Sequence, residues 1–216
     1  MVMRVRPTVI VLAAGKGSRF LGESHKLEQD IGSISVLGST LKNVIASHLP
    51  MLVVTTPKLE SLARRLVAAR DVIVLPEADS QGANGKLGMG YSIASGVYAR
   101  SDAPGWLVLP ADMPLVQPAT LVAVARALDH HPVAYAQHRG RRGHPVAFAA
   151  ELYSELATLS GDEGARRLTA RYPAHGVDVE DPGVLLDVDT LDDLHAVRER
   201  RAALVDSGVA VPRPLQ

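Results

Sequence analysis

The chain has 216 residues, 47% of them hydrophobic and 21% charged, and a formal net charge of +0 with the histidines neutral. That length carries a sizeable core, while the neutral balance excludes the global basic footprint of a nucleic-acid binder. With no cysteine, disulfides, Cys-ligated zinc and thiol catalysis are excluded. No apolar run approaches the roughly 18 residues of a membrane span. The short apolar stretch behind the N-terminal arginines lacks a cleavage site, so no signal peptide is expected and a cytoplasmic location follows by default.

Residues 8–12, Thr-Val-Ile-Val-Leu, form a β-branched run that predicts a buried strand. It stops at Ala13 and Ala14 and opens into Gly15, Lys16 and Gly17, followed by Arg19 and Lys26. A strand ending in a Gly-rich basic loop presents backbone N–H groups and cations to an anion, most often a phosphate. A dinucleotide fingerprint fails here, because Phe20 stands where the third glycine belongs. A Walker loop fails as well: Gly17 and Gly22 have the spacing, but Glu23 replaces the lysine. An ordinary strand-to-helix turn with solvated charges competes with the phosphate reading.

Further along, residues 51–55, 71–75 and 106–109 predict strands. Between them, Leu59, Leu62 and Leu66 share a helical face, and 89–98 reads as a helix behind Gly82, Gly85 and Gly88. Leu121, Val124, Ala125 and Leu128 mark another helix. Such alternation implies a mostly parallel sheet with helices on both faces, whose ligands bind at the carboxyl ends of the strands. Three loops therefore become candidate sites: 13–26, 76–90 and 110–114.

Asp112 lies past the 106–109 strand in a proline-bounded turn. A carboxylate there suits a hard cation held against a phosphate; a turn aspartate bonding its own backbone is the alternative. In the 76–90 loop, Gly88, Gly90 and Ser92 would let backbone approach a nucleotide, or form a plain surface turn.

The second half changes character. Residues 133–137 and 146–148 flank a hairpin with a basic tip, Arg139, Arg141 and Arg142, followed by His144. That tip is either solvated or turned toward an anionic substrate. Two short helices follow, one opened by Gly161-Asp162-Glu163-Gly164, with Asp162 read as an N-cap. Residues 184–189 predict a late strand placing Asp187 and Asp189 on one face and Val188 on the other. Two carboxylates so placed repel unless a cation neutralises them, which suits Mg2+. Thr190 then opens a helix with Asp193 three residues on, a capping pattern. The expected organisation is one domain over 1–206, with an acceptor-side region near 132–180 and a frayed tail, 207–216.

These pieces in this order resemble the MobA-like nucleotidyltransferases, and within them the MocA-type molybdenum cofactor cytidylyltransferases. The carrying residues are Leu12 to Phe20 with Lys26, Gly88 to Ser92, Leu109 to Pro114, Gly143-His144-Pro145, Gly161 to Arg166, and Asp187 to Thr190 with Asp193. The resemblance implies a three-layer, Rossmann-like α/β/α sandwich of the nucleotide-diphospho-sugar transferase type. It implies transfer of CMP from CTP to a phosphate-bearing molybdopterin-type cofactor, with release of pyrophosphate and passage of the product to a molybdenum hydroxylase. Leu12, Ala13, Ala14, Gly15 and Gly17, with Gly88 and Ser92, would bind the nucleotide. Arg19 and Lys26 would bind its triphosphate, and Asp112 and Asp189 would hold Mg2+ with help from Asp187. His144, Arg142 and Asp162 would meet the acceptor. One departure is the stretch after Lys26, which lacks the family's Pro-Leu and bears on the acceptor more than on the NTP. A guanylyltransferase, a sugar-phosphate nucleotidyltransferase and a non-catalytic carrier of the cofactor are the competing readings.

Overall fold

The computed structural model describes residues 6–15, 17–22, 24–76 and 88–206. The glycine-rich stretch 77–87 and the tail 207–216, expected to fray, lie outside the described residues. Strands β1 (Thr8–Ala13), β2 (Met51–Thr55), β3 (Val72–Val74) and β4 (Gly105–Pro110) form on the four apolar runs of the first half. They are apolar almost throughout because both faces are covered. Val9, Val11 and Val53 pack into one layer with Leu41, Leu59, Leu121 and Leu194 of α1 (Val36–Ala46), α2 (Pro57–Arg64), α4 (Pro118–Ala127) and α7 (Leu191–Asp206). Ile10, Val54 and Val108 pack into the other with Ile93, Leu156 and Leu168 of α3 (Met89–Tyr98), α5 (Tyr153–Ala157) and α6 (Arg166–Arg171).

Among the described residues the sheet has seven strands in the order β3-β2-β1-β4-β6-β5-β7, with β5 at Val133–His138, β6 at Arg141–Ala149 and β7 at Ala174–Asp178. From β1 the chain moves to β2 and β3, then crosses back to β4 on the other side of β1. The resulting switch point lies between the carboxyl ends of β1 and β4, where open α/β sheets take their ligands. β6 is antiparallel to β4, with Val108 opposite Val146. Its first residues, Arg141 and Arg142, therefore sit at the same end of the sheet as Asp112.

The structure corrects two expectations in the second half. Residues 184–189 take no place in the sheet. Asp181 caps a 3-10 turn, Pro182–Leu185, accepting from the N–H of Gly183 at 3.0 Å, and also ties down the Gln117 N–H and the Thr120 hydroxyl at 2.8 and 2.7 Å. Val184 is thus buried in a turn instead of a ladder, and the late strand is β7. Asp162 caps no helix: Gly161 and Gly164 have φ of +69° and +57°, so helical geometry starts only beyond them, and α6 begins at Arg166.

Gly90, in the first turn of α3, serves packing rather than ligand approach. A Cβ on Gly90 would lie 2.7 Å from the Ser160 carbonyl oxygen and 2.9 Å from the Ser160 carbonyl carbon and nitrogen. The Gly90 N–H donates to the Gly161 carbonyl at 2.9 Å, which locks the start of α3 to the 160–164 loop. Gly90→Ala is expected to destabilise by about 1–3 kcal/mol through overpacking against backbone. That exceeds the ~0.4–1 kcal/mol gained from a less flexible unfolded chain. Thermal unfolding should show the midpoint falling by about 3–10 °C; an unchanged midpoint would mean that the loop yields without strain.

Candidate active site

The site is built upward from the β1 loop. His25 caps a short 3-10 helix, Lys26–Glu28: its Nδ1 accepts from the Leu27 N–H, and its own N–H donates to Glu28 Oε2, both at 3.2 Å. The other ring nitrogen lies 3.2 Å from the Gly15 carbonyl. The loop is thereby folded over so that Lys26, 86 positions before Asp112, points back at the end of β4. Asp112 is anchored in turn by its backbone. The Ala111 N–H donates to Leu12 of β1, and the Asp112 carbonyl accepts from Val188, at 3.0 and 2.9 Å. The start of α7 supplies the third arm. Asp193 Oδ2 accepts from the N–H groups of Asp189 and Thr190 and from the Thr190 hydroxyl at 3.1, 2.8 and 2.7 Å, and Thr190 Oγ1 accepts from the Asp193 N–H at 3.2 Å. This is the predicted capping pattern, and it fixes the backbone of Asp189.

The three arms meet in an ion-pair network. Lys26 Nζ lies 2.5 Å from Asp112 Oδ2 and 2.7 Å from Asp189 Oδ1, and Arg19 Nη2 lies 2.8 Å from Asp189 Oδ2. The Lys26, Asp112 and Asp189 side chains are only 10%, 16% and 15% exposed, whereas Arg19 is 77% exposed. Burial alone would depress the Lys26 ammonium, but Asp112 and Asp189 outweigh it and raise its pKa above the ordinary lysine value. Asp187, hydrogen-bonded to Asp189, is pushed upward by burial, with the Asp112 and Asp189 charges adding to the effect. Asp187 and Asp189 both line the same cavity with Val188 fully buried between them, though in no strand.

This network forms the floor of a cavity of about 940 Å³ at the switch point. Leu12, Ala14, Gly15, Gly17, Arg19, Lys26, Gly88, Ser92, Asp112, Arg142, His144, Asp187 and Asp189 line it. Ala13 is fully buried, and Asp162 lies against Gly88, outside the lining. Sequence reasoning missed Lys58, in the first turn after β2, and gave no role to Arg166, though both line the cavity. Lys58 follows a strand end and Arg166 ends a quoted motif, so both carried a positional signal. Among the described residues six cationic side chains line the cavity against three carboxylates, an electrostatic preference for a polyanion. Arg142 is held over the Tyr135 ring, 4.4 Å from its centroid. Burial lowers the His144 pKa, with Asp112 opposing, and its Nδ1 is buried without a partner.

Asp112 Oδ1 is likewise buried without a hydrogen-bond partner. This unmet hard-oxygen acceptor, beside further carboxylates at a strand end, fits a divalent cation of the Mg2+ type. Among the described residues, however, no group of three or more His, Cys, Asp or Glu side chains is arranged to hold an ion by itself. No helix of the described residues is long and apolar enough to cross a membrane.

A mostly parallel α/β/α sandwich with a cationic cavity at its switch point defines the nucleotide-diphospho-sugar transferase class of fold. The chain belongs to the MobA-like NTP transferase family, whose domain matches residues 9–177, and is a nucleotidyltransferase. It is 30% identical over 203 residues to the purine catabolism protein PucB of Bacillus subtilis, covering 88% of this chain and 94% of that one. Among solved structures it is similar to Rv0371c of Mycobacterium tuberculosis, at 27% identity and a TM-score of 0.74, over 90% of this chain and 98% of that one. The manganese complex of Rv0371c matches at 28% identity and a TM-score of 0.68, with the same coverage. Molybdopterin-guanine dinucleotide biosynthesis protein A of Archaeoglobus fulgidus shares the fold at 18% identity and a TM-score of 0.65, over 91% and 99% of the two chains.

Proposed function

We propose that this nucleotidyltransferase moves CMP from CTP onto the phosphate of a molybdopterin-type cofactor, as in the MocA-type branch. The observation that carries the reading is the network of Lys26, Arg19, Asp112 and Asp189 on the floor of a cavity whose cationic side chains outnumber its carboxylates. An acceptor phosphate oxygen attacks the α-phosphorus, a new P–O bond forms, and the α–β P–O bond breaks with pyrophosphate leaving. The step needs positioning and charge neutralisation and no protein nucleophile. Leu12, Ala14, Gly15 and Gly17 support the nucleotide, with Gly88 and Ser92 on α3. Arg19 and Lys26 bind the triphosphate. Asp112 and Asp189, with Asp187 beside them, hold Mg2+, which neutralises phosphate charge and favours pyrophosphate as leaving group. Arg142 and His144, at the start of β6, face the acceptor, and Arg166 adds a third group there.

The test is Mg2+-dependent pyrophosphate release with each of the four NTPs, with and without molybdenum cofactor. Release only with CTP plus cofactor is expected. Release with GTP instead would make the chain a guanylyltransferase. Nucleotide binding without release across phosphate-bearing acceptors would point to a carrier.

A further inference from the structure

The turn that carries Asp112, residues 111–114, follows Pro110 and ends in Pro114, neither of which has an N–H to donate. All four of its carbonyls nevertheless accept a hydrogen bond. Met113 takes the Val116 N–H at 3.5 Å, and Asp112 takes the Val188 N–H at 2.9 Å. Side chains of α1 take the other two. Thr40 Oγ1 donates to the Ala111 carbonyl at 2.8 Å, while Ser39 Oγ and Asn43 Nδ2 donate to the Pro114 carbonyl at 2.9 and 3.0 Å. Ser39 and Thr40 are 2% and 1% exposed, on a helix that also buries Leu37, Leu41 and Val44. A hydroxyl buried on such a face must find a partner or cost stability. These two find theirs on either side of Asp112.

The same helix reaches the other two arms of the ion-pair network. The Val36 N–H at its start donates to the Gln29 carbonyl at 2.9 Å, directly behind the 3-10 helix of Lys26. From α7, whose head carries Asp189, Arg201 donates to Ser39 Oγ at 2.9 Å and Arg198 to the Asp30 carbonyl at 2.8 Å. We infer that Ser39, Thr40 and Asn43 are positioning residues, which set where the Asp112 carboxylate stands relative to Lys26 and Asp189. None of the three lines the cavity, so they act through the turn they hold. Apolar side chains would fill the same places in the core, but they would leave the Ala111 and Pro114 carbonyls unpaired and the turn free to shift. The inference rests on the reading of Asp112 as part of the nucleotidyltransferase site, and it adds the means by which that carboxylate is aimed.

The test is a double-mutant cycle on the full chain. Thr40→Val keeps the shape of the side chain and removes its hydroxyl; Asp112→Asn removes the charge that the hydroxyl helps to place. Thr40→Val should lower pyrophosphate release with CTP and molybdenum cofactor by about ten- to a hundredfold, mostly in kcat, and Thr40→Ser should restore most of it. In the Asp112→Asn background the same change should cost less than about threefold. Ser47→Ala is the control: it removes a buried hydroxyl bond to the Val44 carbonyl, 2.6 Å long, at the far end of the same helix. It should lower the unfolding midpoint and leave turnover unchanged. The midpoints give a second reading that needs no turnover. Those of Thr40→Val and Asp112→Asn should fail to add by at least about 2 °C, whereas those of Ser47→Ala and Asp112→Asn should add. Full turnover in Thr40→Val, an equal loss in the Asp112→Asn background, or additive midpoints would each overturn the inference. Asn43→Ala, at a half-buried position, carries the same cycle if Thr40→Val does not fold. Absent pyrophosphate release from the wild-type chain would count against the functional reading, and the midpoints alone would then decide the positioning.

Discussion

Asp112→Asn is expected to lower pyrophosphate release at least about a hundredfold, the scale lost when one preorganised electrostatic group is removed from a transition state, while the chain stays folded. The substitution keeps the shape of the side chain and removes its charge. The backbone anchors of the turn, from Ala111 to Leu12 and from Val188 to Asp112, do not involve the carboxylate. Lys26 keeps its contact with Asp189 at 2.7 Å, so no buried cation is stranded. Steady-state kinetics with a saturating acceptor, together with circular dichroism, check both halves of the expectation. Full turnover in the D112N protein would remove Asp112 from the chemistry and leave the cavity as a binding site only.

Lys26→Met should lower stability as well as weaken triphosphate binding. It leaves Asp112 and Asp189 largely buried, at 16% and 15% exposure, with their shared counter-charge gone. Breaking a buried pair in this way costs about 3–5 kcal/mol, or a fall in the unfolding midpoint of about 10 °C for a chain of this size. Arg19 cannot compensate, since it reaches only Asp189 and is 77% exposed. Because the pKa of Lys26 is raised in the folded state, its stabilisation is complete at neutral pH and is lost only as the pH climbs through that raised value. The wild-type and variant melting curves should therefore stay apart across the neutral range. Millimolar Mn2+ or Mg2+ should restore part of the lost midpoint in the variant. A shift of under about 2 °C would mean that solvent screens the two carboxylates more fully than their burial implies.

The parts of the fold legible in the sequence are those where one physical signal dominates. The four parallel strands are continuous apolar runs, and the Thr190 cap shows its spacing in the chain. α3 matches the expected 89–98, because its apolar residues keep helical period up to Tyr98. The missed elements carry mixed signals. α1 hides behind a Ser-rich lead, yet Ser35 caps it through a bond from Gly38, and Leu37, Leu41 and Val44 keep a helical stripe. β7 is an edge strand, half exposed and interrupted by Gly176, so neither alternation nor a continuous apolar run marks it. Residues 184–189 look like a strand because Val184, Leu185 and Leu186 are apolar, but Pro182 and the Asp181 cap turn the chain first. For the site, Asp187 and Asp189 are expected on a strand that does not form, whereas Arg19, Lys26 and Asp112 could be placed in the loops after β1 and β4 from sequence. Which of them touch could not, since the meeting of Lys26 with Asp112 and Asp189 depends on crossings 86 and 163 positions apart.

The reversed direction of β6 separates two parts of the cavity wall. Its turn, Arg139 and Gly140, precedes the cavity-lining Arg141 with left-handed backbone at both positions, and a side-chain carbon on Gly140 would meet nothing within 4 Å. The acidic floor, by contrast, is welded to β1, β4 and α7. If the hairpin faces the acceptor as proposed, insertions or charge swaps at that turn change what the enzyme accepts without disturbing how it handles a nucleotide. A grafted hairpin is then the natural unit for exchanging that choice in the laboratory.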